Sequence, residues 1–121
     1  MLFRSVAVEA LVAGMLVWST DERGARVAVP IVRVGSTPAP PSHALVVLAL
    51  ADGREVTASA GHPTADGRLL GVLDAGDALD GSRVIAVHRR PYGDAHTFDL
   101  LPASASRAYW SDGVLLTSTL R

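Results

Sequence analysis

The chain has 121 residues, of which 49% are hydrophobic and 19% are charged, and its net charge at pH 7 is −1. This length predicts one domain, residues 1–121, with one modest core. The near-neutral balance excludes the charge excess typical of proteins that bind nucleic acid or anionic membranes. The absence of cysteine excludes disulfides, thiolate metal ligands and cysteine nucleophiles.

The sequence predicts no targeting or membrane-spanning segment. The longest apolar run, ALVVLALA at residues 44–51, has eight residues, whereas a helix needs ~20 to span a bilayer. The N-terminal stretch MLFRSVAVEALVAGML contains Glu9 and continues into patterned sequence without a break, unlike a secretory signal peptide. We therefore expect no membrane partner and a cytoplasmic location.

The rest of the chain has the pattern of short strands. Turn signals rich in Gly, Pro, Asp and Ser recur every ~8 to 15 residues, and no apolar stripe at helical spacing lasts for three turns. This pattern is typical of all-β domains. In chain order, the sequence predicts strands at residues 15–20, 26–34, 43–51, 55–59, 83–89, 96–101 and 114–118.

Several segments between these strands carry turn or loop signals. The pairs Asp52-Gly53 and Asp112-Gly113 predict tight hairpins in which both residues adopt positive φ. The segment GSTPAPPS, residues 35–42, contains three prolines and is predicted to be a loop. The only helix candidate is PASASRAYW, residues 102–110.

The strand predicted at residues 43–51 is apolar on both of its faces. By alternation, one face carries Leu45, Val47 and Ala49, and the other carries Ala44, Val46, Leu48 and Leu50. A strand of this kind is expected to be buried on both sides.

A histidine stands where the fourth predicted strand ends, in the stretch EVTASAGHPTADGR. Ser59 and two small residues precede His62, and Pro63 follows it. A histidine at the mouth of a strand is either a general acid/base, a metal ligand or a packed turn residue. Residue types alone leave these alternatives open.

Four segments in a fixed order resemble the Hint (Hedgehog/intein) family: VTASAGHP, LDAGDALDGSRVIAV, HTFDLLP and RAYWSDGVLL. The resemblance extends from about residue 10 to residue 118. It implies an all-β, Hint-like horseshoe of short twisted strands and hairpins. In this family a first Cys or Ser attacks the preceding carbonyl, a T-x-x-H motif activates that amide, and an Asp in a later strand assists. Inteins then release the downstream chain by cyclisation of a terminal His-Asn.

The resemblance assigns each family position to a residue of this sequence. Ser59 and His62 stand at the T-x-x-H positions, and Asp99 in TFDLL stands at the position of the assisting Asp. The first position holds Ala10, which has no nucleophilic group. The positions of the terminal His-Asn hold Thr117 and Ser118.

The departures from the family pattern are consistent with one another. The chain contains no Asn at all, so cyclisation of a terminal Asn is impossible, and Arg107 stands where another His is common. Because Thr117 and Ser118 depart from the pattern as well, natural loss of the nucleophile is favoured over an engineered change at Ala10. The resemblance therefore implies a domain with the family's fold that lacks the nucleophile and the terminal His-Asn.

Each site residue also has a purely structural interpretation. His62 is either a fold-stabilising histidine that bonds the main chain or a working acid/base, and Ser59 is more often the cap of its own turn than a nucleophile. Asp99 faces either the cleft or solvent. His43, His88 and His96 lie on separate predicted strands without the spacing of a zinc site, so we expect neither metal nor cofactor.

Three hypotheses follow. The first is a Hint-like domain without autoproteolysis that serves as a structural or interaction module. The second is an autoprocessing domain whose nucleophile at position 10 was removed, or replaced by a hydroxyl such as that of Ser5, and whose partner is its own flanking polypeptide. The third is an unrelated small β-barrel or sandwich that binds a ligand. The sequence leaves the oligomeric state open.

Overall fold

Residues 10–121 are described by the computed structural model, and they form an almost entirely β-structured fold. The all-β prediction is confirmed. In chain order the strands are β1 (Leu16–Thr20), β2 (Arg26–Pro38), β3 (Ala44–Leu50), β4 (Glu55–Ser59), β5 (Ala78–Leu79), β6 (Ser82–Pro91), β7 (His96–Pro102), β8 (Ala108–Ser111) and β9 (Val114–Thr117). A single 3-10 turn, Leu70–Val72, lies between β4 and β5.

The strands form three antiparallel sheets. Their orders are β1-β2-β7, β4-β3-β6-β5 and β8-β9. The first sheet depends on the long strand β2, whose first half pairs with β1 and whose second half pairs with β7. The register of β2 against β7 shifts between Ile31 and Arg33, so one bulged residue lies near the start of the half that pairs with β7. Strand β2 thus joins β1 to β7, which carries Asp99.

Strand β3 is the centre of the largest sheet, as its doubly apolar sequence predicts. It pairs with β4 on one side and with β6 on the other. Val46, Leu48 and Leu50 are fully buried in the main core. On the opposite face Val47 is buried, while Leu45 and Ala49 are half-buried. Neither face is broadly exposed to solvent.

A second core cluster lies under the first sheet and includes the segment that precedes β1. Leu11 packs with Val17, Ile31, Leu100 and Tyr109. The cluster therefore connects the N-terminal part of the described chain with β7 and β8. Because apolar area removed from water stabilises the fold by roughly 25 cal/mol per Å², this packing holds residues 10 and 11 close to the strand that bears Tyr109.

The two predicted hairpin turns differ in their geometry. Asp112 and Gly113 both have positive φ, 52° and 77°, and Ser111 pairs with Val114 across the turn. At the other turn only Gly53 has positive φ, 93°, so the prediction for Asp52 is wrong. The Gly53 N–H bonds the Leu50 carbonyl at 3.0 Å, which makes a longer turn that ends in a left-handed glycine.

Two segment predictions are wrong. Residues 35–38 of the predicted loop belong to β2, because they pair with residues 96–99 of β7. The helix candidate at residues 102–110 instead ends in strand β8, which pairs with β9. Arg107 has a φ of 56°, a left-handed conformation that a helix does not continue. In both places tertiary pairing outweighs local preference.

Candidate functional site

The motif turn after β4 is held in place by main-chain hydrogen bonds. The His62 N–H bonds the Ser59 carbonyl at 3.0 Å, and the Leu70 N–H bonds the His62 carbonyl at 3.0 Å. The Gly71 N–H bonds the Ala60 carbonyl at 2.9 Å. The small residues of SAGHP thus allow the 3-10 turn to approach this main chain closely, and the approach fixes the direction of His62.

The imidazole of His62 lies among groups of β7, β8 and β9. Its Nε2 is 3.4 Å from the Tyr109 hydroxyl, and the two rings meet edge-on with centroids 6.0 Å apart. Burial lowers the pKa of His62 below its ordinary value of 6.5, although the charge of Asp99 and a hydrogen bond with the Thr117 main chain act in the opposite direction. The neutral form of His62 is therefore favoured by its surroundings.

Asp99 is turned inward from β7 and is only 7% exposed. Its Oδ1 accepts a hydrogen bond of 2.5 Å from the Tyr109 hydroxyl. Its Oδ2 accepts hydrogen bonds from the Thr119 N–H at 2.7 Å and from the Thr119 hydroxyl at 2.5 Å. Both carboxylate oxygens thus bind groups of the protein itself, which satisfies a charge that burial would otherwise make costly.

Tyr109 connects the histidine to the carboxylate. Burial, followed by the charge of Asp99 and the hydrogen bond to it, raises the pKa of Tyr109 well above 10.0. The phenol therefore stays protonated and donates a hydrogen bond to Asp99. No role was assigned to Tyr109 from the sequence, although this residue lies within the motif RAYWSDGVLL.

The residues after β9 are fastened to the same site. The Arg107 guanidinium donates to the carbonyls of Ser118 at 3.2 Å and Leu120 at 2.8 Å. The side chain of Leu120 covers Gly35, where an added Cβ would lie 2.8 Å from a Leu120 methyl group. We refer to residues 118–121 as the tail. The tail is anchored at Asp99, Arg107 and Gly35, each on a different strand or connection.

Two clefts meet at Ser59 and His62. The smaller, of about 110 Å³, is also lined by Asp99, Thr119 and Leu120. The larger, of about 590 Å³, is lined by Ser59 and His62 together with residues of β7 and β8, among them Phe98 and Tyr109. The structure thus brings Ser59, His62 and Asp99 together at one small cleft. Their catalytic roles remain a prediction.

The remaining family positions do not line this cleft. Ala10 is exposed, and neither of these two clefts is lined by it. Its neighbour Leu11, however, packs in the same cluster as Tyr109. Thr117 donates its N–H to the Pro63 carbonyl and its hydroxyl to the Thr64 carbonyl, both at 3.0 Å. Ser118 is buried and donates its N–H to the Arg107 carbonyl at 2.8 Å. Ser5 lies outside the described residues.

The other histidines do not converge. His88 and His96 are exposed on β6 and β7, whereas His43 contacts Ser59. Among residues 10–121 no group of three or more His, Asp or Glu side chains could hold a metal ion. Within the same range no helix is long and apolar enough to cross a bilayer.

Solved structures of inteins resemble this fold over most of the chain. A DnaB intein from Synechocystis sp. PCC 6803 has a TM-score of 0.75 at 17% identity, covering 95% of this chain and 87% of the intein. The Ssp DnaB mini-intein variant M86 also has a TM-score of 0.75 at 17% identity, with 96% and 84% covered. The chain has the Hint fold.

A third intein extends the comparison. The Msm DnaB1 intein splicing domain, solved with bound zinc, has a TM-score of 0.61 at 21% identity and covers 90% of this chain and 86% of its own. No protein-family model matches the chain, and no curated protein matches it in sequence. The Hint fold confirms the resemblance inferred from the four motifs. The third hypothesis, an unrelated β-barrel or sandwich, is wrong.

Proposed function

We propose that this single Hint domain does not cut its own backbone and serves as a structural or interaction module. One observation carries the proposal: the site carboxylate of Asp99 is occupied on both oxygens by Tyr109 and by Thr119 of the protein's own tail. A carboxylate saturated in this way stabilises the fold and has little capacity left to assist a reacting group.

The residue at the nucleophile position supports the same proposal. Acyl transfer needs an attacking group, and Ala10 supplies none. His62 cannot compensate, because positioned acid/base assistance contributes only ~10²- to 10⁴-fold. The second family step is also excluded chemically, since the position of the terminal Asn holds Ser118 and the chain has no Asn.

A second candidate function rests on the hydrogen-bonded arrangement of side chains that the site retains. His62, Tyr109 and Asp99 form a connected set, and burial favours the neutral form of the histidine. Such a set suits an autoprocessing domain that has lost only its nucleophile and whose partner is its own flanking polypeptide. An Ala10→Cys variant separates this candidate from the module.

The test is the intact mass of the purified chain during days of incubation at pH 7, with and without dithiothreitol or hydroxylamine. We expect one unchanged mass in every condition. Cleavage of the unmodified chain at a bond flanking Ala10 or within residues 1–9 contradicts the proposal.

The same measurement on Ala10→Cys tests whether the rest of the domain can still support cleavage of the backbone. A variant that stays whole supports the module. Thiol-dependent loss of residues 1–9 that disappears in the double variant Ala10→Cys/His62→Ala supports the autoprocessing candidate instead. Circular dichroism of each variant establishes that it is folded before its mass is interpreted.

A further inference from the structure

A second histidine contacts the side chain of the motif serine. The Nε2 of His43 lies 2.9 Å from the Oγ of Ser59, and the contact is partly buried. This distance is within the 2.6–3.2 Å range that is typical of a nucleophile and its general base. The family resemblance assigns no role to His43, and the function proposed above does not use this pair.

The pair results from the register of two strands. Ser59 is the last residue of β4 and stands directly opposite Leu45 of β3. His43 precedes Leu45 by two residues, so both side chains project to the same side of the chain. The histidine therefore reaches the serine diagonally across the end of the hairpin, where β4 stops at the SAGHP turn.

The position of His43 is fixed by its surroundings. Its N–H bonds the Pro40 carbonyl at 2.9 Å, and its carbonyl accepts a hydrogen bond of 3.1 Å from the Tyr92 N–H. The ring of Tyr92 meets the imidazole edge-on, at 5.5 Å between centroids and 76° between planes. A base whose main chain and ring are both held loses little entropy when it takes up a proton from a neighbour.

Ser59 is also accessible to a small molecule. It lines the cleft of about 590 Å³ together with Leu45, Tyr92, Phe98 and Tyr109. His43 is not among the lining residues of this cleft. About half of the lining residues are apolar or aromatic and the others are polar or charged, which suits a small uncharged ester that has both apolar and polar atoms.

We propose that Ser59 and His43 form a nucleophile–base pair that accepts acyl groups from small activated carboxylic esters. The Ser59 Oγ attacks the ester carbonyl while its proton passes to His43 Nε2. The bond from the carbonyl carbon to the leaving-group oxygen breaks, and an activated phenolate leaves as a stable anion. The imidazolium of His43 then loses its proton to solvent. Neutral His43 takes a proton from the water that attacks the acyl-serine and returns it to Ser59 Oγ, and the carboxylic acid is released.

This activity is independent of the proposed inertness towards the protein's own backbone. An activated ester brings its own good leaving group, whereas a peptide bond needs protonation of a poor one. The pair can therefore accept an external acyl group in a domain that never cleaves itself. Failure of either proposal leaves the other unaffected. One is tested by cleavage of the protein's own peptide bonds, and the other by acyl transfer from an external ester.

The test is acetylation by p-nitrophenyl acetate, followed by digestion after arginine and mass spectrometry of peptide 55–68. The absence of lysine and cysteine from the chain removes the side chains that such esters commonly modify. We expect an acetyl group on Ser59, located by fragmentation of that peptide. We also expect an initial burst of p-nitrophenolate that approaches one equivalent of protein.

Two variants test the role of each partner. Ser59→Ala should abolish the labelled peptide, and His43→Gln should slow acetylation of Ser59 by about 10²-fold or more through loss of the base. Ser36→Ala is the control, because Ser36 is exposed on β2, lines neither cleft and should leave acetylation of Ser59 unchanged. The proposal is overturned if the folded wild-type chain carries no acetyl on Ser59, if the label lies on His62, or if folded His43→Gln is labelled as fast as wild type.

Discussion

The imidazole of His62 loses most of its water on folding, and this loss makes the protein sensitive to acid. The folded-state pKa of His62 is lowered below the ordinary 6.5, with burial as the largest cause. Between the folded pKa and 6.5, the unfolded chain therefore binds more protons than the folded one. The contribution of His62 to stability is complete above 6.5 and is lost as the pH falls through this window.

We predict that the free energy of unfolding falls as the pH is lowered below 6.5 and that His62→Gln removes part of this slope. Asp66 does not contribute to it, because Arg68 and Thr64 lower its pKa to about 2. Urea denaturation at several pH values measures the slope, and NMR titration of His62 measures its pKa. A titration midpoint at or above 6.5 contradicts the prediction.

At the scale of the elements, the motif turn and the 3-10 turn Leu70–Val72 approach each other so closely that a side chain has no room. A Cβ added at Gly71 would lie 2.7 Å from the Ala60 Cβ and 3.0 Å from the Ala60 carbonyl oxygen. At Gly61, one residue before His62, an added Cβ meets nothing within 4 Å. The two glycines therefore differ in what they contribute to stability, although they lie on two neighbouring turns.

We predict that Gly71→Ala lowers the free energy of unfolding by about 1–3 kcal/mol, because the clash involves main chain that cannot move away cheaply. Gly61→Ala is the matched control and should leave stability unchanged or raise it by about 0.4–1 kcal/mol. Urea or thermal denaturation of the two variants measures the difference. Equal stability of both variants would show that the close approach of the two turns does not affect the free energy of unfolding.

The elements also show where local sequence information is sufficient. Asp112-Gly113 predicted its hairpin correctly, because positive φ at both residues is a property of those residue types. The segment at residues 102–110 was predicted wrongly as a helix, since Ala and Ser accept several conformations and the pairing of β8 with β9 decides among them. Short segments without strong turn residues take their structure from their partners.

At the scale of the whole molecule, the tail connects the last strand to the site. Thr119 binds Asp99, Leu120 covers Gly35, and Arg107 holds two tail carbonyls. These contacts join residues that lie far apart in the sequence, and they satisfy a buried charge at the same time. The tail is therefore part of the site as well as of the fold.

We predict that deletion of residues 119–121 lowers the free energy of unfolding by about 1–3 kcal/mol, because the buried Asp99 loses the donors of Thr119. Deletion of Arg121 alone is the control, since it keeps Thr119 and Leu120 and should change stability far less. Urea denaturation of both shortened chains measures the effect. A full deletion as stable as the control would mean that solvent replaces the tail at no cost.

The sequence alone was sufficient for the all-β class, the seven main strands and the Hint resemblance. It also indicated Ser59, His62 and Asp99 as candidate site residues, whose catalytic roles stay a prediction. Alternation, turn chemistry and ordered motifs are local signals, and each can be read within a few residues. Only the tertiary structure decided which side Asp99 faces, that Tyr109 bonds it, that Thr119 occupies it and that His43 reaches Ser59. Those contacts join residues separated by 10 to 20 positions, and they depend on strand register and on the path of the tail. No local pattern encodes them, because each requires two segments to be placed before their side chains can meet.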